Sequence, residues 1–316
     1  MTASSVSPVR SVAVCVATYQ RPDGLTRLLD SFARLDDPDG ASVSIVVCDN
    51  DPDGSAATTI AAHPIASSID AIAEPRRGLS NVRNALVARA RELGVDAVAF
   101  VDDDEEVPAE WVAELVACQH RELCEIVTGP VTPAFEPDVE SWVVATGYFD
   151  PIDAAPGAEM TYANTNNVLI HLDALDVDPF DLRLNHTGGE DTHLFTRCLL
   201  RGLRMVWCPS ARPTEYIPTS KTSAAWMRRR EYRRGTTRSF VLRDLEDSWP
   251  RRGKRVVASV SEVGRGVVTM LRSGWAPGDR GRVARAVAGN HVAYAAGMIA
   301  GLFGASYAEY EVVHGS

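Results

Sequence analysis

The chain has 316 residues, of which 45% are apolar, so it is long enough to bury the core of one large α/β domain with or without an appendage. Its net charge of −10 disfavours nucleic acid as a partner for the whole surface. Between Trp226 and Arg285, however, 16 Arg or Lys residues stand against 6 Asp or Glu residues, a local balance of +10. This basic block predicts contact with phosphates or anionic lipid headgroups, although a solvated basic surface explains most of these arginines equally well.

The six cysteines form no C-x-x-C pair, and Cys15 and Cys48 stand inside apolar strand-like runs. This predicts reduced cysteines in a reducing compartment. The first ten residues have no apolar stretch typical of a signal peptide. The longest apolar run, 287–307, is interrupted by Asn290 and His291 and predicts a packing or membrane-surface helix. We therefore expect a cytoplasmic protein, with peripheral contact to the inner membrane face as one option.

Short apolar β runs alternate with helical segments in the first half of the chain. The pattern predicts strands at 12–16, 43–47, 69–73 and 95–101 and helices at 22–35, 80–93 and 108–118. This order predicts a mostly parallel sheet with helices on both faces, which binds ligands at the carboxyl ends of its strands. Thr18, Asp49 and the acidic run that begins at Asp102 fall at those ends.

The second half is less regular. Residues 132–162, rich in Pro, Asp and aromatic residues, are predicted to form a long loop, followed by a strand-like segment at 166–171. A helix is predicted from about Gly189 to Arg201, and a short strand at 205–208. From Ala224 onward the chain is predicted to be helical, first basic and then apolar.

An apolar strand that ends abruptly in acids is the strongest chemical signal. The acidic residues are Asp102, Asp103, Asp104, Glu105 and Glu106. Like charges this close are costly without a screening cation, and a hard divalent ion shared with substrate phosphates would provide one. An acidic, solvated turn before a helix is the alternative explanation.

A second acidic signal follows two glycines, in the run Gly188-Gly189-Glu190-Asp191. The glycines allow close backbone approach, and a carboxylate at such a helix start can act as a general base on a hydroxyl group. A plain helix cap with a first-turn acid explains the run equally well when it is taken alone.

Several segments, taken in order, resemble family 2 glycosyltransferases of the GT-A fold, in the branch that builds exopolysaccharide or lipid-linked sugars. The segments are Val14 to Pro22, Val47 to Asp51, Arg77 to Asn84, Asp102-x-Asp104 with Pro108-x-x-Trp111, and Gly189-Glu190-Asp191. The resemblance spans about residues 11–240. It implies a nucleotide-diphosphate sugar donor, of which a UDP-sugar is our first choice, and a lipid-linked, glycan or small-molecule acceptor.

The resemblance also implies roles for individual residues. Asp104 would ligate Mg²⁺ or Mn²⁺, with Glu215 as a second ligand or as a structural residue. Asp191 would be the general base of an inverting displacement, with Glu190 as the fallback. Donor contacts would come from Ala17, Thr18, Tyr19, Arg21, Asp49, Gly78, Leu79, Arg83, Asp102 and Asp103. Acceptor or sugar contacts would come from Asn166, Asn167 and Gly189, and phosphate contacts from Arg229, Arg230 and Arg233. A satisfied strand edge is the alternative role of the two asparagines.

The resemblance divides the chain into a GT-A catalytic domain, 1–223, and a helical C-terminal extension, 224–316. The nucleotide-sugar half would be about 11–130 and the acceptor half about 131–223. The basic segment lacks the Q-x-x-R-W string of processive synthases, so polymerisation is disfavoured. The extension would meet a membrane, close over the donor or form a homodimer.

Two other functions remain open. A sugar nucleotidyltransferase would need a Gly-rich, Lys-bearing loop after the first strand, where this chain has Ala17-Thr18-Tyr19-Gln20. A catalytically degenerate sugar-binding or scaffold subunit would not need both acidic motifs, which are present here.

Overall fold

A computed structural model describes residues 6–245, 249–273 and 275–305. Within 249–273, side chains are described at 257 and at 261–272. Residues 306–316, which we predicted to continue the apolar C-terminal helix, lie outside the described residues.

Ten strands and nine α-helices make up the regular structure of the described residues. The strands are β1 (Ser11–Thr18), β2 (Ser42–Asp49), β3 (Ile69–Ala73), β4 (Ala97–Asp102), β5 (Glu105–Glu106), β6 (Ile126–Thr128), β7 (Thr132–Phe135), β8 (Asn167–His171), β9 (Met205–Trp207) and β10 (Thr214–Ile217). The helices are α1 (Pro22–Phe32), α2 (Ala57–Ala62), α3 (Leu79–Glu92), α4 (Trp111–Glu122), α5 (Ser141–Val144), α6 (Glu190–Leu200), α7 (Ala224–Leu245), α8 (Trp249–Ser273) and α9 (Gly278–Leu302).

Seven strands form the central sheet, in the order β3-β2-β1-β4-β8-β6-β9. Only β8 runs antiparallel to its neighbours in this sheet, so the prediction of a mostly parallel sheet is confirmed. Alternate residues of β1 face opposite sides: Val14 packs with α1 and α4, whereas Cys15 packs with α3 and α6. Both faces are therefore buried, which explains why the strands are continuous apolar runs without a polar alternation.

A second, three-stranded sheet in the order β5-β10-β7 was not predicted. It corrects the expectation of a long loop at 132–162, which contains β7 and the short helix α5. It also places Glu215, in β10, directly opposite Glu105. These strands have two to four residues, too few for a periodic pattern, and their partners are far apart in the sequence.

The three C-terminal helices pack on one another through small residues. A Cβ atom at Gly297 of α9 would overlap the carbonyl oxygen of Tyr232 in α7, and one at Gly235 of α7 would overlap the carbonyl oxygen of Tyr294. The two backbones therefore approach each other more closely than larger side chains would allow. Among the described residues, no helix has both the length and the apolar character needed to cross a membrane.

The close contact between α7 and α9 predicts a large stability effect at Gly297. Gly297→Val should lower the free energy of unfolding by about 3 kcal/mol, because the backbones must separate to admit the side chain. Urea denaturation followed by circular dichroism measures the change. Gly264→Ala in α8 is the control: apart from its own helix turn, no atom of the described residues lies within 4 Å of the added Cβ, so the better helix former should be neutral or stabilising by up to about 1 kcal/mol. Equal effects of the two changes would contradict the packing argument.

Candidate active site

The polar residues that end β1, β2 and β4 meet at one edge of the central sheet. Thr18 lies opposite Asp49 in the register of β1 with β2, and Ala17 lies opposite Asp102 in the register of β1 with β4. The three strands are parallel neighbours, so their carboxyl ends open on the same side. The site is built on this edge.

Asp103 connects two side chains in the wall of the site by hydrogen bonds. Its carboxylate accepts a hydrogen bond of 2.9 Å from the Thr18 hydroxyl and one of 2.8 Å from the Arg21 guanidinium. Burial raises the pKa of Asp103 to about 6, against the opposing charge of Arg21. Asp103 is thus a buried acceptor that positions the side chains around it.

Asp104 is surrounded by cations. Its Oδ2 atom accepts from Lys221 Nζ at 3.0 Å and from Arg21 Nη1 at 3.1 Å. Burial acts to raise the pKa of Asp104, but the charges of Lys221 and Arg21 outweigh it and hold the pKa below its ordinary value. Lys221 Nζ also lies 3.8 Å from Glu215 Oε1, so the ammonium group lies between the two predicted metal ligands.

Two further carboxylates, those of Glu105 and Glu215, lie near Asp104. Glu105 is buried, and its Oε1 atom has no hydrogen-bond partner among the residues that the structure describes. Burial and the neighbouring charges of Asp102 and Glu215 raise the pKa of Glu105 well above its ordinary range. Burial and the charge of Asp104 raise the pKa of Glu215 as well. Hard oxygen donors that already attract an ammonium group are a set that fits Mg²⁺ or Mn²⁺.

Two cavities lie side by side at the strand ends. The smaller, of about 250 Å³, is lined by these predicted residues: Ala17, Thr18, Tyr19, Arg21, Gly78, Leu79, Arg83, Asp102, Asp103, Asp104, Glu215, Arg230 and Arg233. The larger, of about 520 Å³, is lined by Asn166, Gly189, Glu190 and Asp191 among others. Six residues line both cavities, namely Leu79, Arg83, Asp102, Glu215, Arg230 and Arg233. Most of the predicted donor and metal residues thus line the smaller cavity, some of them on the wall shared with the larger one, and Asn166, Gly189, Glu190 and Asp191 line the larger cavity.

The start of α6 forms a wall of the larger cavity. Gly189 has a left-handed backbone, φ +87°, and a Cβ atom there would overlap Thr237 of α7. Glycine is therefore required both for the turn and for the close approach of the two helices. Asp191 lines the cavity and is half-buried, and its Oδ1 atom accepts from the backbone and hydroxyl groups of Thr192.

Glu190 and Arg83 form a buried ion pair between α6 and α3. Arg83 also lies 3.4 Å from Asp102, so one guanidinium connects α6 to the acidic end of β4. Burial raises the pKa of Glu190 to about 7, although the charge of Arg83 opposes the shift. Glu190 points into this ion pair, whereas Asp191, one residue later, is the more accessible carboxylate.

Three residues that we predicted to contact substrates lie outside the lining of the two cavities. Asp49 lines neither cavity: its carboxylate accepts from the backbone N–H groups of Asp51 and Ala56 and holds the loop after β2. Asn167 is buried in the fold, where it accepts from the Trp111 indole and donates to backbone carbonyl groups. Arg229 is exposed and lines neither cavity, because it lies on the face of α7 that turns away from them.

Other lining residues were not predicted. Asn50, rather than its neighbour Asp49, lines the smaller cavity, and its Oδ1 accepts from Gly78 N at 2.8 Å. Arg77 lies over the ring of Tyr19, 4.2 Å from its centroid. Lys221 comes from the short 3₁₀ turn between β10 and α7, where the sequence carries no motif. Asn50 and Arg77 lie in sequence motifs that carry the family resemblance. Of these three residues, only Lys221 has no motif in the sequence that indicates a functional role.

A separate cluster of two carboxylates and one histidine lies where α6 and α7 meet. The ligand atoms of Asp181, His193 and Asp244 all lie within 4.8 Å of one another, the geometry of a potential metal site. Arg183, however, makes ion pairs of 2.5 Å with Asp181 and 2.7 Å with Asp244. The guanidinium pairs with both carboxylates and balances one of their two negative charges, and the cluster connects the two helices.

The glycosyl transferase family 2 model matches residues 13–176, just over half of the chain. The chain therefore belongs to glycosyltransferase family 2 and is a glycosyltransferase, which confirms the resemblance found in the sequence. The succinoglycan biosynthesis protein ExoM of Rhizobium meliloti (strain 1021) is 28% identical over 246 residues, which are 75% of this chain and 78% of that protein.

Solved structures share the GT-A fold of this chain. S. aureus TarS superimposes with a TM-score of 0.52 and 15% identity, over 93% of this chain and 92% of that one. GalNAc-T7, solved with UDP, GalNAc and Mn²⁺, gives a TM-score of 0.55 and 14% identity, over 80% of this chain and 51% of that one. The fold prediction is thus confirmed.

The raised pKa of Glu190 predicts a pH dependence of stability. A carboxyl group with a pKa of about 7 in the folded state and about 4.5 in the unfolded state binds its proton more tightly when folded. Its contribution to the free energy of unfolding is therefore full below about pH 4.5 and is lost as the pH rises through about 7. Glu190→Gln should remove this loss, so the stability of the variant relative to the wild type should increase across that window. Urea denaturation at a series of pH values tests this.

The exposed side chain of Glu159 supplies the control, since it is 74% exposed. Glu159→Gln should keep the pH profile of the wild type. A profile of Glu190→Gln that runs parallel to the wild type would show that Glu190 has the same pKa in the folded and unfolded states.

Proposed function

We propose that this chain is a metal-assisted, inverting glycosyltransferase, with its nucleotide-diphosphate donor in the smaller cavity and its acceptor in the larger. The observation that carries the proposal is the shared wall between the two cavities. A sugar held at that wall would reach both the leaving diphosphate on one side and an acceptor hydroxyl on the other. Proximity of this kind removes much of the entropic cost of bringing two substrates together.

The nucleotide end of the donor would lie near Tyr19 and Arg77, where the stacked pair offers a flat surface for a base. The donor diphosphate would lie toward Arg230 and Arg233, which reach both cavities from α7. Guanidinium groups match phosphate geometry. We infer a UDP-sugar as donor, because TarS and GalNAc-T7 have both been solved with UDP.

A divalent ion, Mg²⁺ or Mn²⁺, would be held by Asp104 and Glu215. When bound, it supplies positive charge that stabilises the diphosphate leaving group. Asp104 lies in the turn between β4 and β5 and Glu215 lies in β10, and Lys221 Nζ is 3.0 Å from the first carboxylate and 3.8 Å from the second. In the absence of the ion, Lys221 and Arg21 balance the charge of Asp104.

Asp191 would act as the general base. It would take the proton of the acceptor hydroxyl as the acceptor oxygen bonds to the anomeric carbon, while the bond from that carbon to the diphosphate oxygen breaks. One direct displacement inverts the anomeric centre. Asp191 is the accessible acid of the pair at the start of α6, and the ion pair of its neighbour Glu190 with Arg83 keeps that helix start in place.

The acceptor would be a glycan or a lipid-linked sugar in polysaccharide biosynthesis, the process named for the relative ExoM. The size of the larger cavity, about 520 Å³, suits a sugar unit. Tyr148 and Trp207 offer aromatic surface there. Arg234 and Arg238 continue the basic face of α7 away from the shared wall and would suit an anionic group on the acceptor.

The position of Lys221 predicts competition with the ion. Lys221→Met should bind Mn²⁺ about tenfold more tightly in the absence of donor, because the ion no longer has to displace an ammonium group from Asp104. Asp104→Asn should bind it at least tenfold more weakly and lose transfer. Isothermal titration of the free enzyme with Mn²⁺ gives both values. Arg229→Met, which also removes one positive charge, is the matched control and should bind as the wild type. Weaker binding by Lys221→Met would contradict the competition.

Substitution of the proposed base tests the mechanism itself. Asp191→Asn keeps the shape of the side chain but cannot accept a proton, so kcat should fall by about 10²–10⁴-fold while donor affinity is unchanged. The measurements are transfer kinetics at saturating donor and a separate titration with UDP. An unchanged kcat would exclude Asp191 as the base. A lost UDP affinity with a normal rate at saturation would place Asp191 in donor binding instead.

A further inference from the structure

The outward face of α8 is an exposed apolar stripe. It consists of Val257, Val267, Val268 and Leu271, and Trp275 follows just beyond the helix. Val257 and Val268 are about three turns apart, and Val267, Leu271 and Trp275 follow one another at intervals of four residues. Val257 is 69% exposed, Leu271 70% and Trp275 82%. Solvent-exposed apolar residues are ordinary when single, but several of them on one helix face, here together with the small exposed residues Ser261 and Gly264, indicate a contact surface.

The opposite face of α8 is already used. Glu262 hydrogen-bonds to His291 of α9 at 2.7 Å, and a Cβ atom at Gly266 would lie 2.9 Å from the carbonyl oxygen of Ala288. Successive residues of a helix turn by about 100°, so Val257 and Val268 lie roughly opposite Gly266. The stripe thus faces away from the body of the protein, and α9 holds it there.

The positive charge of α8 favours a lipid surface over a second copy of the chain as the partner of the stripe. Residues 249–273 contain six Arg or Lys residues and one acidic residue, Glu262, a balance of +5 in a chain whose net charge is −10. Two copies of this helix placed face to face would bring like charges together, which disfavours a second copy. A helix that combines an apolar stripe, basic residues and an exposed tryptophan has the properties of one that lies in a lipid–water interface.

The two segments that we predicted to contact a membrane have other contacts as well. The run 287–303 belongs to α9, whose small residues pack on α7. Within 228–234, Arg230, Arg233 and Arg234 line the larger cavity. The run 287–303 also exposes Val292, Ile299 and Phe303, but it contains no Arg or Lys residue, whereas α8 combines exposed apolar residues with basic ones.

We propose that α8 lies on an anionic phospholipid surface, with Val257, Val268, Leu271 and Trp275 inserted between the headgroups and the exposed Arg265 and Arg272 facing the lipid phosphates. Binding of this kind is reversible and weakens with salt, because part of it is electrostatic. The inference rests on α8 alone and is independent of the proposed donor chemistry.

Vesicle co-sedimentation of the full chain tests the proposal. The wild type should bind vesicles of equal parts phosphatidylcholine and phosphatidylglycerol at low salt. It should bind at least tenfold less at 0.5 M salt or on phosphatidylcholine alone. The double variant Leu271→Gln/Trp275→Gln should bind at least tenfold more weakly than the wild type. A blue shift of tryptophan fluorescence on binding should be reduced in Trp275→Phe, since this side chain enters the interface.

Val177→Gln is the matched control, because Val177 is 77% exposed but lies in the catalytic domain. It should bind vesicles as the wild type does. Urea denaturation followed by circular dichroism shows that the double variant is folded, so a loss of lipid binding is separated from misfolding. Absence of wild-type binding on anionic vesicles at low salt overturns the proposal. So does a dimeric wild type, by light scattering, that the double variant makes monomeric, since a second copy would then cover the stripe.

Discussion

The accumulation of carboxylates at the end of β4 is the constraint on which the site depends. Asp103 and Glu105 are buried, and like charges at such distances cannot all stay ionised without cations close to them. Arg21 and Lys221 supply that charge from two directions, one from the turn before α1 and one from the turn before α7. The acidic strand end thus connects Arg21 and Lys221, which are 200 residues apart in the sequence, and its negative charge is of the sign that attracts a divalent cation.

Arg83 connects α3 to α6 and extends this balance of charges to the start of α6, where the proposed base lies. Arg83 makes a buried ion pair with Glu190 and approaches Asp102, so the metal-side acids and the proposed base share one electrostatic framework. Removal of one partner from a buried pair leaves an uncompensated charge, which is costly. The geometry of the shared wall is therefore maintained by ion pairs, and the substrates would bind where those pairs are already ordered.

The three C-terminal helices differ in what they contact: the cavities, each other or solvent. One face of α7 lines both cavities with arginines, the glycines of α9 pack against another, and α8 turns its apolar stripe outward. In the sequence all three appear as one basic and weakly apolar region. The position of each arginine relative to the helix axis decides its function: Arg230 and Arg233 are three residues apart and share the cavity face, whereas Arg229 points away.

The sequence by itself determined the parallel part of the sheet and the strand-end acids, because long apolar runs and local motifs such as Asp102-x-Asp104 and Gly189-Glu190-Asp191 carry this information in consecutive residues. Only the tertiary structure decided the small second sheet, the position of Lys221 against Asp104, and the choice between neighbours such as Asn50 and Asp49. These depend on strands of two to four residues and on which side of a turn faces the cavity, and both are set by contacts between segments distant in the chain.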